Sequence, residues 1–248
     1  MSCRGVREKV MSSLNIQPAP KRRLADILYG QLLEQIMQGS LVRGQKLPSE
    51  HRLSEAFGAS RPVVREALMR LQADGLIEAR RGSGTYLART PPPEVSRFVE
   101  PSDFARYLRT FEVRIALETA TTEFAARRRS EEDLSAIKRA MDDFAQALEA
   151  DQPARSLDVA FHRSIAVATG NDLFVRQLND LTVEIEGVMN IALGLTRLGS
   201  AERRAAVMQE HRQIVEAIEM SDADLAATYM RFHLSQARRR VTDVTRQP

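Results

Sequence analysis

The sequence predicts a mainly α protein, in which a small N-terminal domain of three helices and a hairpin precedes an all-α antiparallel helical bundle. Two observations predict this division. Apolar residues recur at three- and four-residue spacing over most of the chain, which is typical of amphipathic helices. Strand-like pieces occur only at residues 76–79 and 85–87, around a glycine-containing turn. We therefore expect one hairpin in an otherwise helical chain.

The basic residues are concentrated in the first third of the chain. Residues 1–90 contain 15 Lys and Arg against 8 Asp and Glu, whereas residues 91–248 contain 21 against 25. The first third is therefore suited to a polyanionic partner. The single cysteine, Cys3, excludes an internal disulfide framework, and no apolar run approaches the roughly 18 residues that span a bilayer. These features favour a cytoplasmic protein without a membrane partner.

We divide the chain into a leader, two domains and a linker. Residues 1–19 are polar and aperiodic and are interpreted as a flexible leader, and residues 20–89 form the N-terminal domain. Residues 90–101 include three consecutive prolines, which cannot occupy a helix interior, and are predicted to be a linker. Residues 102–243 form the bundle, with helices near 102–128, 130–150, 153–168, 172–196, 201–220 and 222–241.

The elements predicted for residues 20–89 follow one another in the order of a winged helix-turn-helix. A first amphipathic helix from Lys21 closes near Gly39. Ser49 can cap a short second helix that Gly58 ends, and Ser60 can cap the third. The hairpin follows the third helix and supplies the wing.

The third helix has one basic face and one apolar face. Arg61 and Arg65 are four residues apart and lie opposite Val64, Leu68 and Leu71, so we expect both guanidinium groups to be free and outward-facing. An arginine placed in this way can contact guanine or phosphate in a major groove. Each feature alone could belong to an ordinary solvated helix or hairpin. Their combination and order favour DNA binding.

Four segments of this domain are similar to segments of the GntR family of bacterial regulators. They are LPSE at residues 47–50, GASRPVVREAL at 58–68, LQADGLI at 71–77 and RRGSGTYL at 80–87. The resemblance implies binding of double-stranded operator DNA through Ser60, Arg61, Pro62, Arg65, Arg81 and Gly82. The family usually has Arg then Glu after LPSE. This chain has His51 then Arg52, so the contact from that helix comes from either residue or is lost.

Three of the four histidines lie in the predicted bundle. Asp158 and His162 are four residues apart, so they leave the same face of one helix. His211 and His233 lie ten or eleven residues from the bend near residue 221, which places them at equal heights on an antiparallel pair. One carboxylate and three imidazoles suit Zn, with Ni, Mn and Fe as alternatives. Spacing alone leaves open that these are ordinary core or surface histidines.

The bundle resembles the helical ligand-binding domain of the FadR subfamily of the GntR family. The resemblance is carried by FEVRIALE at residues 111–118, DVAFHRSIAVATGN at 158–171, EHRQIVEAI at 210–218 and HL at 233–234. It implies a metal bound by Asp158, His162, His211 and His233, a small organic acid effector whose carboxylate meets Arg114, and a homodimer. Arg114 could instead form a structural ion pair with Glu112 or Glu118.

We therefore expect a bacterial transcriptional regulator, with repression favoured, and not an enzyme. A metal-dependent enzyme fused to a DNA-binding module is a second hypothesis, but no general base has the His-Glu-x-x-His spacing. Glu210 adjoins His211, yet neighbours on a helix point about 100 degrees apart. A third hypothesis is a regulator in which the metal is purely structural.

Overall fold

The structure is a computed structural model that describes residues 24–184, 189–190, 194 and 200–243. The predicted leader, residues 1–19, and the end of the helix predicted near residues 172–196 lie outside the described residues. Of the helices that are described, none combines the length and the apolar character needed to cross a membrane.

The N-terminal domain has the predicted order of elements, which confirms a winged helix-turn-helix. Helix α1 spans Leu24–Met37, α2 spans Glu50–Phe57 and α3 spans Arg61–Ala73, and the strands are β1, Ile77–Arg80, and β2, Gly84–Leu87. The hydroxyl of Ser49 accepts a hydrogen bond from the backbone N–H of Arg52 at 3.3 Å, so Ser49 caps α2 as predicted. Gly58 ends α2 in the left-handed region, with φ of 59°.

The hairpin is short and antiparallel. Ile77 lies opposite Leu87 at its base. Both side chains are buried, so they hold the hairpin against the helices. At the tip, Gly82 has φ of 72°, a conformation that residues with a Cβ rarely adopt. The hairpin therefore presents a narrow, exposed turn at residues 81–83.

The stretch predicted to be a linker contains a short helix, α4, which spans Pro93–Phe98. The helix begins with a proline, which is tolerated in the first turn because the missing N–H has no helical partner there. Val95 and Val99 are buried in the same apolar cluster as the N-terminal helices. The last of the three prolines thus starts a helix, so part of the predicted linker is helical.

The remaining described chain is helical, which confirms the all-α second domain. The helices are α5, Pro101–Arg128; α6, Glu131–Glu149; α7, Arg155–Val167; α8, Asp172–Glu184; α9, Ala201–Glu219; and α10, Ala223–Thr242. Ser130 caps α6 in a capping box with Asp133, and Asp222 caps α10. The long helix α5 packs along α10, and α10 packs on α9.

One apolar cluster joins the two domains. Its buried members include Leu33 of α1, Leu71 of α3 and Phe104 of α5. Just beyond β2, Arg89 forms an ion pair with Asp243 at 3.3 Å, immediately after α10. The winged helix is therefore packed directly on the bundle.

Candidate functional site

The residues predicted to contact DNA are all exposed parts of the N-terminal domain. They come from α2, from the start of α3 and from the hairpin turn: His51, Arg52, Ser60, Arg61, Pro62, Arg65, Arg81 and Gly82. All eight are exposed. On the opposite side of α3, Val64, Leu68 and Leu71 are buried, as the sequence pattern predicts. Arg61 and Arg65 consequently face away from the core.

One expectation about the predicted DNA contacts is wrong, because the guanidinium of Arg65 is not free. Its Nη2 atom lies 3.0 Å from Oε2 of Glu50, and its Nε atom lies 3.3 Å from Oε1 of the same carboxylate. The hydrogen bond to Arg65 lowers the pKa of Glu50. Glu50 begins α2 and faces α3 across the helix-turn-helix, a proximity that sequence spacing did not reveal.

Two further residues of the predicted DNA-contact set have local roles. Ser60 occupies the N-cap position of α3, but its hydroxyl makes no capping hydrogen bond; its carbonyl accepts from the N–H of Val64 at 3.1 Å. The expected side-chain cap is therefore not formed. His51 lies with Nδ1 3.2 Å from the carboxylate of Glu55, one turn along α2.

The three histidines of the bundle converge in its interior. His162 on α7, His211 on α9 and His233 on α10 are all buried, and one ring nitrogen from each lies within 4.8 Å of the others. Phe161 and Phe144 pack on the His211 ring, with ring centroids 4.7 and 4.9 Å away. The three side chains therefore form a possible metal site walled by aromatic residues.

Asp158 completes the predicted set. Its carboxylate oxygens lie 3.9 Å from Nε2 of His162 and 3.5 Å from Nε2 of His211. Burial raises the pKa of the Asp158 carboxyl, but the electrostatic effect of the nearby His211, His162 and His233 rings more than offsets it. The pKa of Asp158 is therefore held well below its usual value. The buried carboxylate is an anion suited to binding a cation.

The Nδ1 atoms of the histidines face away from Asp158 toward other groups. His211 Nδ1 lies 2.8 Å from the Val207 carbonyl, to which it donates, and His233 Nδ1 lies 2.8 Å from Oε2 of Glu210. When the proton of a neutral imidazole is on Nδ1, the Nε2 atom has a free lone pair, and this is the form that binds a metal.

The Nδ1 atom of His162 also faces a polar group, but the contact does not meet the angles of a hydrogen bond. Its Nδ1 atom is 2.5 Å from Oε2 of Glu118, an ion-pair contact without hydrogen-bond geometry. The buried Nε2 atoms of His162 and His211 have no hydrogen-bond partner. Two orphaned imidazole nitrogens beside a buried carboxylate fit a bound cation, because such groups are otherwise costly to bury.

Two glutamates that orient the histidines were missed by sequence reasoning as members of the site. Glu118 on α5 contacts His162, and Glu210 on α9 contacts His233 of the neighbouring helix. Glu210 also forms two hydrogen bonds with the Arg240 guanidinium, at 2.8 and 3.0 Å. The antiparallel alignment of α9 and α10 could have indicated this role.

Arg114 is buried in α5 and pairs with Glu118. Its Nε atom donates to Oε1 of Glu118 at 2.6 Å, one of the two ion pairs that the sequence left open. Burial raises the pKa of Glu118, yet Arg114 and His162 outweigh it and lower this pKa to about 2. For His233 burial has the opposite sign: it lowers the pKa of the imidazole, and the neighbouring His211 and His162 add to this effect.

A winged helix joined to a helical domain with a buried polar cluster is the architecture of a bacterial transcriptional regulator. The chain belongs to the GntR family. Residues 24–87 match the description "Bacterial regulatory proteins, gntR family", and residues 109–236 match the FCD domain, which covers more than half of the chain. The family is one of regulators rather than enzymes, which confirms that the chain is not an enzyme and removes the metalloenzyme hypothesis.

Relatives over most of the chain are also regulators. The Uxu operon regulator of Haemophilus influenzae is 33% identical and covers 84% of this chain and 79% of its own length. The transcriptional regulator LutR of Bacillus subtilis is 31% identical and covers 81% and 93%. The galactonate operon transcriptional repressor of Escherichia coli is 26% identical and covers 86% and 94%. The similarity therefore extends through both domains.

Proposed function

We propose that this regulator is a homodimeric repressor that binds operator DNA through the exposed surface of the winged helix. Arg61 and Arg65 would reach the major groove, while Arg81 and Gly82 would approach the phosphate backbone from the hairpin turn. The observation that supports this is that all eight predicted contact residues of the winged helix are exposed. Operator DNA lies in the bacterial cytoplasm, so we place the regulator there.

We infer that Asp158, His162, His211 and His233 hold a divalent metal ion, with Zn favoured over Ni, Mn or Fe. The supporting observation is the set of buried imidazoles whose Nδ1 atoms are held by other groups. When bound, the ion supplies a positive charge that attracts an acid oxygen. The chain's own contribution is to orient the imidazoles through the groups that contact their Nδ1 atoms.

The effector in this proposal is a small organic acid that also meets Arg114. A guanidinium has five donors, so Arg114 can keep Glu118 on Nε and still bind a carboxylate through its other nitrogens. One of the relatives is named for the operon of galactonate, which is a sugar acid. Binding of the acid against α5 would change the packing of the winged helix through the apolar cluster that both domains share.

A gel shift with promoter-proximal DNA tests the regulatory proposal. Purified protein should retard an operator fragment at low salt, and one member of a panel of small acids should release it only when metal is bound. A neutral sugar alcohol of the same carbon skeleton is the matched control. Failure to retard any upstream fragment at low salt would contradict DNA-binding regulation.

Replacing a single histidine tests the metal site. His211→Ala should reduce the metal content from one ion per chain toward zero and abolish the acid response, because it removes one of three clustered imidazoles. His51→Ala, at the exposed histidine of α2, is the control and should keep its metal. Full metal occupancy in His211→Ala would remove this residue from the site.

Chelation separates a sensing metal from a purely structural one. Loss of acid binding by a protein that still shows its native near-UV circular dichroism supports the sensor. Unfolding on chelation, with the acid response retained by the fraction that stays folded, would instead favour a metal that only stabilises the bundle.

A further inference from the structure

Arg203 is a buried cation that the proposed metal site does not use. It lies in the first turn of α9, and its side chain is almost fully removed from solvent, with 8% exposure. Its Nη2 atom donates to the backbone carbonyl of Arg240 at 3.4 Å, and its buried Nε atom has no hydrogen-bond partner. The Nε–H group of Arg203 therefore has no hydrogen-bond acceptor among the described residues.

The other charges buried around the histidine cluster have partners. Arg114 pairs with Glu118, Arg240 pairs with Glu210, and Asp158 faces the histidines. Arg203 has no carboxylate within ion-pair distance among the described residues. Burial lowers the pKa of the Arg203 guanidinium, and the like charge of Arg240 adds to this effect. The balance of buried charge at this point is therefore positive.

An unpaired buried cation is costly, because burial removes water without supplying a replacement. An oxyanion would remove that cost by accepting hydrogen bonds from Nε and neutralising the charge. The start of α9 adds to the attraction, since the backbone N–H groups of a helix N-terminus favour a negative group. Ser200 caps the helix through the N–H of Arg203, so that one donor is already used.

Arg203 is also linked to the histidine cluster through α10. Arg240, whose carbonyl Arg203 contacts, binds Glu210, and Glu210 binds His233. Arg203 precedes His211 by eight residues on α9, or about 12 Å along the helix axis. A ligand group at Arg203 would thus lie at a different point of the bundle from one at the histidines.

We propose that Arg203 is the anchor for an oxyanion, a carboxylate or a phosphate, carried by the effector. This inference rests on the proposed acid-sensing function and deepens it: the acidic group is recognised by Arg203, whose charge is unbalanced, and not only by Arg114, whose charge Glu118 already neutralises. The effector class is then an acid long enough to reach from the histidine cluster toward the start of α9.

The test uses the metal-loaded full chain and the variant Arg203→Met, with Arg212→Met as a control at an exposed arginine on the same helix. Thermal unfolding is followed against inorganic phosphate and against acetate, at constant ionic strength. We expect the apparent affinity for the better anion to fall about 10- to 100-fold in Arg203→Met and not in the control. Stronger binding of phosphate would indicate that the effector carries a phosphate group, and stronger binding of acetate would indicate a carboxylate.

A second readout separates binding from structure. Without added oxyanion, Arg203→Met should unfold at the same or a higher temperature than wild type, because it removes an unpaired buried charge. A structural role would give a lower temperature in every buffer. That result, or equal anion-dependent shifts in wild type and Arg203→Met, or no anion-dependent shift in wild type, would overturn the proposal.

The outcome also distinguishes this site from the sensing function. If an acid releases DNA equally from wild type and Arg203→Met, acid sensing stands and the Arg203 anchor is overturned. If Arg203→Met loses anion binding while no acid releases DNA from wild type, the oxyanion site stands and the sensing proposal fails.

Discussion

The two domains each contain a central arginine–glutamate pair, and the pairs differ in how far water can reach them. Arg65 and Glu50 join α3 to α2 with side chains 63% and 39% exposed. Arg114 and Glu118 lie within α5 with side chains 8% and 3% exposed. An exposed pair is weak and exchanges readily, whereas a buried pair is expensive to break. The winged helix thus keeps its arginine accessible to solvent, and the bundle keeps its arginine in place.

The difference fits two kinds of recognition. A surface arginine that holds a carboxylate loosely can exchange it for a phosphate or a base edge when DNA arrives. A buried arginine that is held by a carboxylate keeps one orientation, so it can serve as a fixed donor inside the bundle.

Breaking the buried pair should cost the most. Glu118→Gln leaves Arg114 as an uncompensated buried charge, so we expect the free energy of unfolding to fall by about 3–5 kcal/mol. Glu123→Gln, which breaks the exposed Arg127–Glu123 pair on the same helix, is the matched control and should cost about 0.5 kcal/mol or less. Chemical denaturation measures both. Equal costs would mean that burial does not distinguish the pairs.

Removing the exposed arginine should affect DNA binding alone. Arg65→Ala should weaken operator binding by about tenfold or more and make the salt dependence shallower by about one phosphate contact. Metal content and acid affinity should not change, because the residue lies on α3, outside the bundle. Gel shifts over a salt series measure this effect, with Arg212→Ala as the control. Parallel loss of acid binding would show that Arg65 has been assigned to the wrong function.

A buried hydrogen bond inside the N-terminal domain, between α1 and the end of α3, predicts a pH effect. The carboxylate of Asp74, which ends α3, accepts a hydrogen bond from the buried hydroxyl of Tyr29 at 2.7 Å. Burial raises the pKa of Asp74, against opposing contributions from Tyr29 and the bundle residue Arg238. The folded state therefore binds this proton more tightly than the unfolded state does.

Because the folded pKa of Asp74 is raised, its contribution to stability is full below the unfolded pKa and is lost as pH rises through the folded pKa. Asp74→Asn cannot ionise, so its stability relative to wild type should increase as the pH rises from 4 to 7. Denaturation at several pH values measures this difference. A difference that is constant with pH, or that changes in the opposite direction, would contradict the raised pKa.

Removing the acidic half of the exposed pair should have the smallest effect. Glu50→Gln frees Arg65 from its competing carboxylate, so we expect an unchanged unfolding temperature and operator affinity equal to or above wild type. A loss of DNA affinity as large as that of Arg65→Ala would show instead that Glu50 positions the arginine for the groove.

The helices could be predicted because their signals are local. The apolar spacing of α3 gave both its inner face and its outward arginines, and Ser49 and Gly58 marked the ends of α2. The contact between His211 and His233 could also be predicted, because the two residues lie at nearly equal numbers of residues from the turn that joins α9 and α10. Such inferences succeed because helical rise and periodicity are the same in every protein.

The tertiary structure decided which side chains meet across elements. Glu50 and Arg65 are 15 residues apart, and Glu210 and His233 are 23 apart, so their contacts depend on crossing angles and rotamers that periodicity does not contain. Tertiary packing also decided three other features: the helix at Pro93, the shared apolar cluster and the unpaired charge of Arg203. The sequence by itself determined the helices and the chemistry they carry; packing determined which charges are neutralised, because burial and distance exist only in the folded chain.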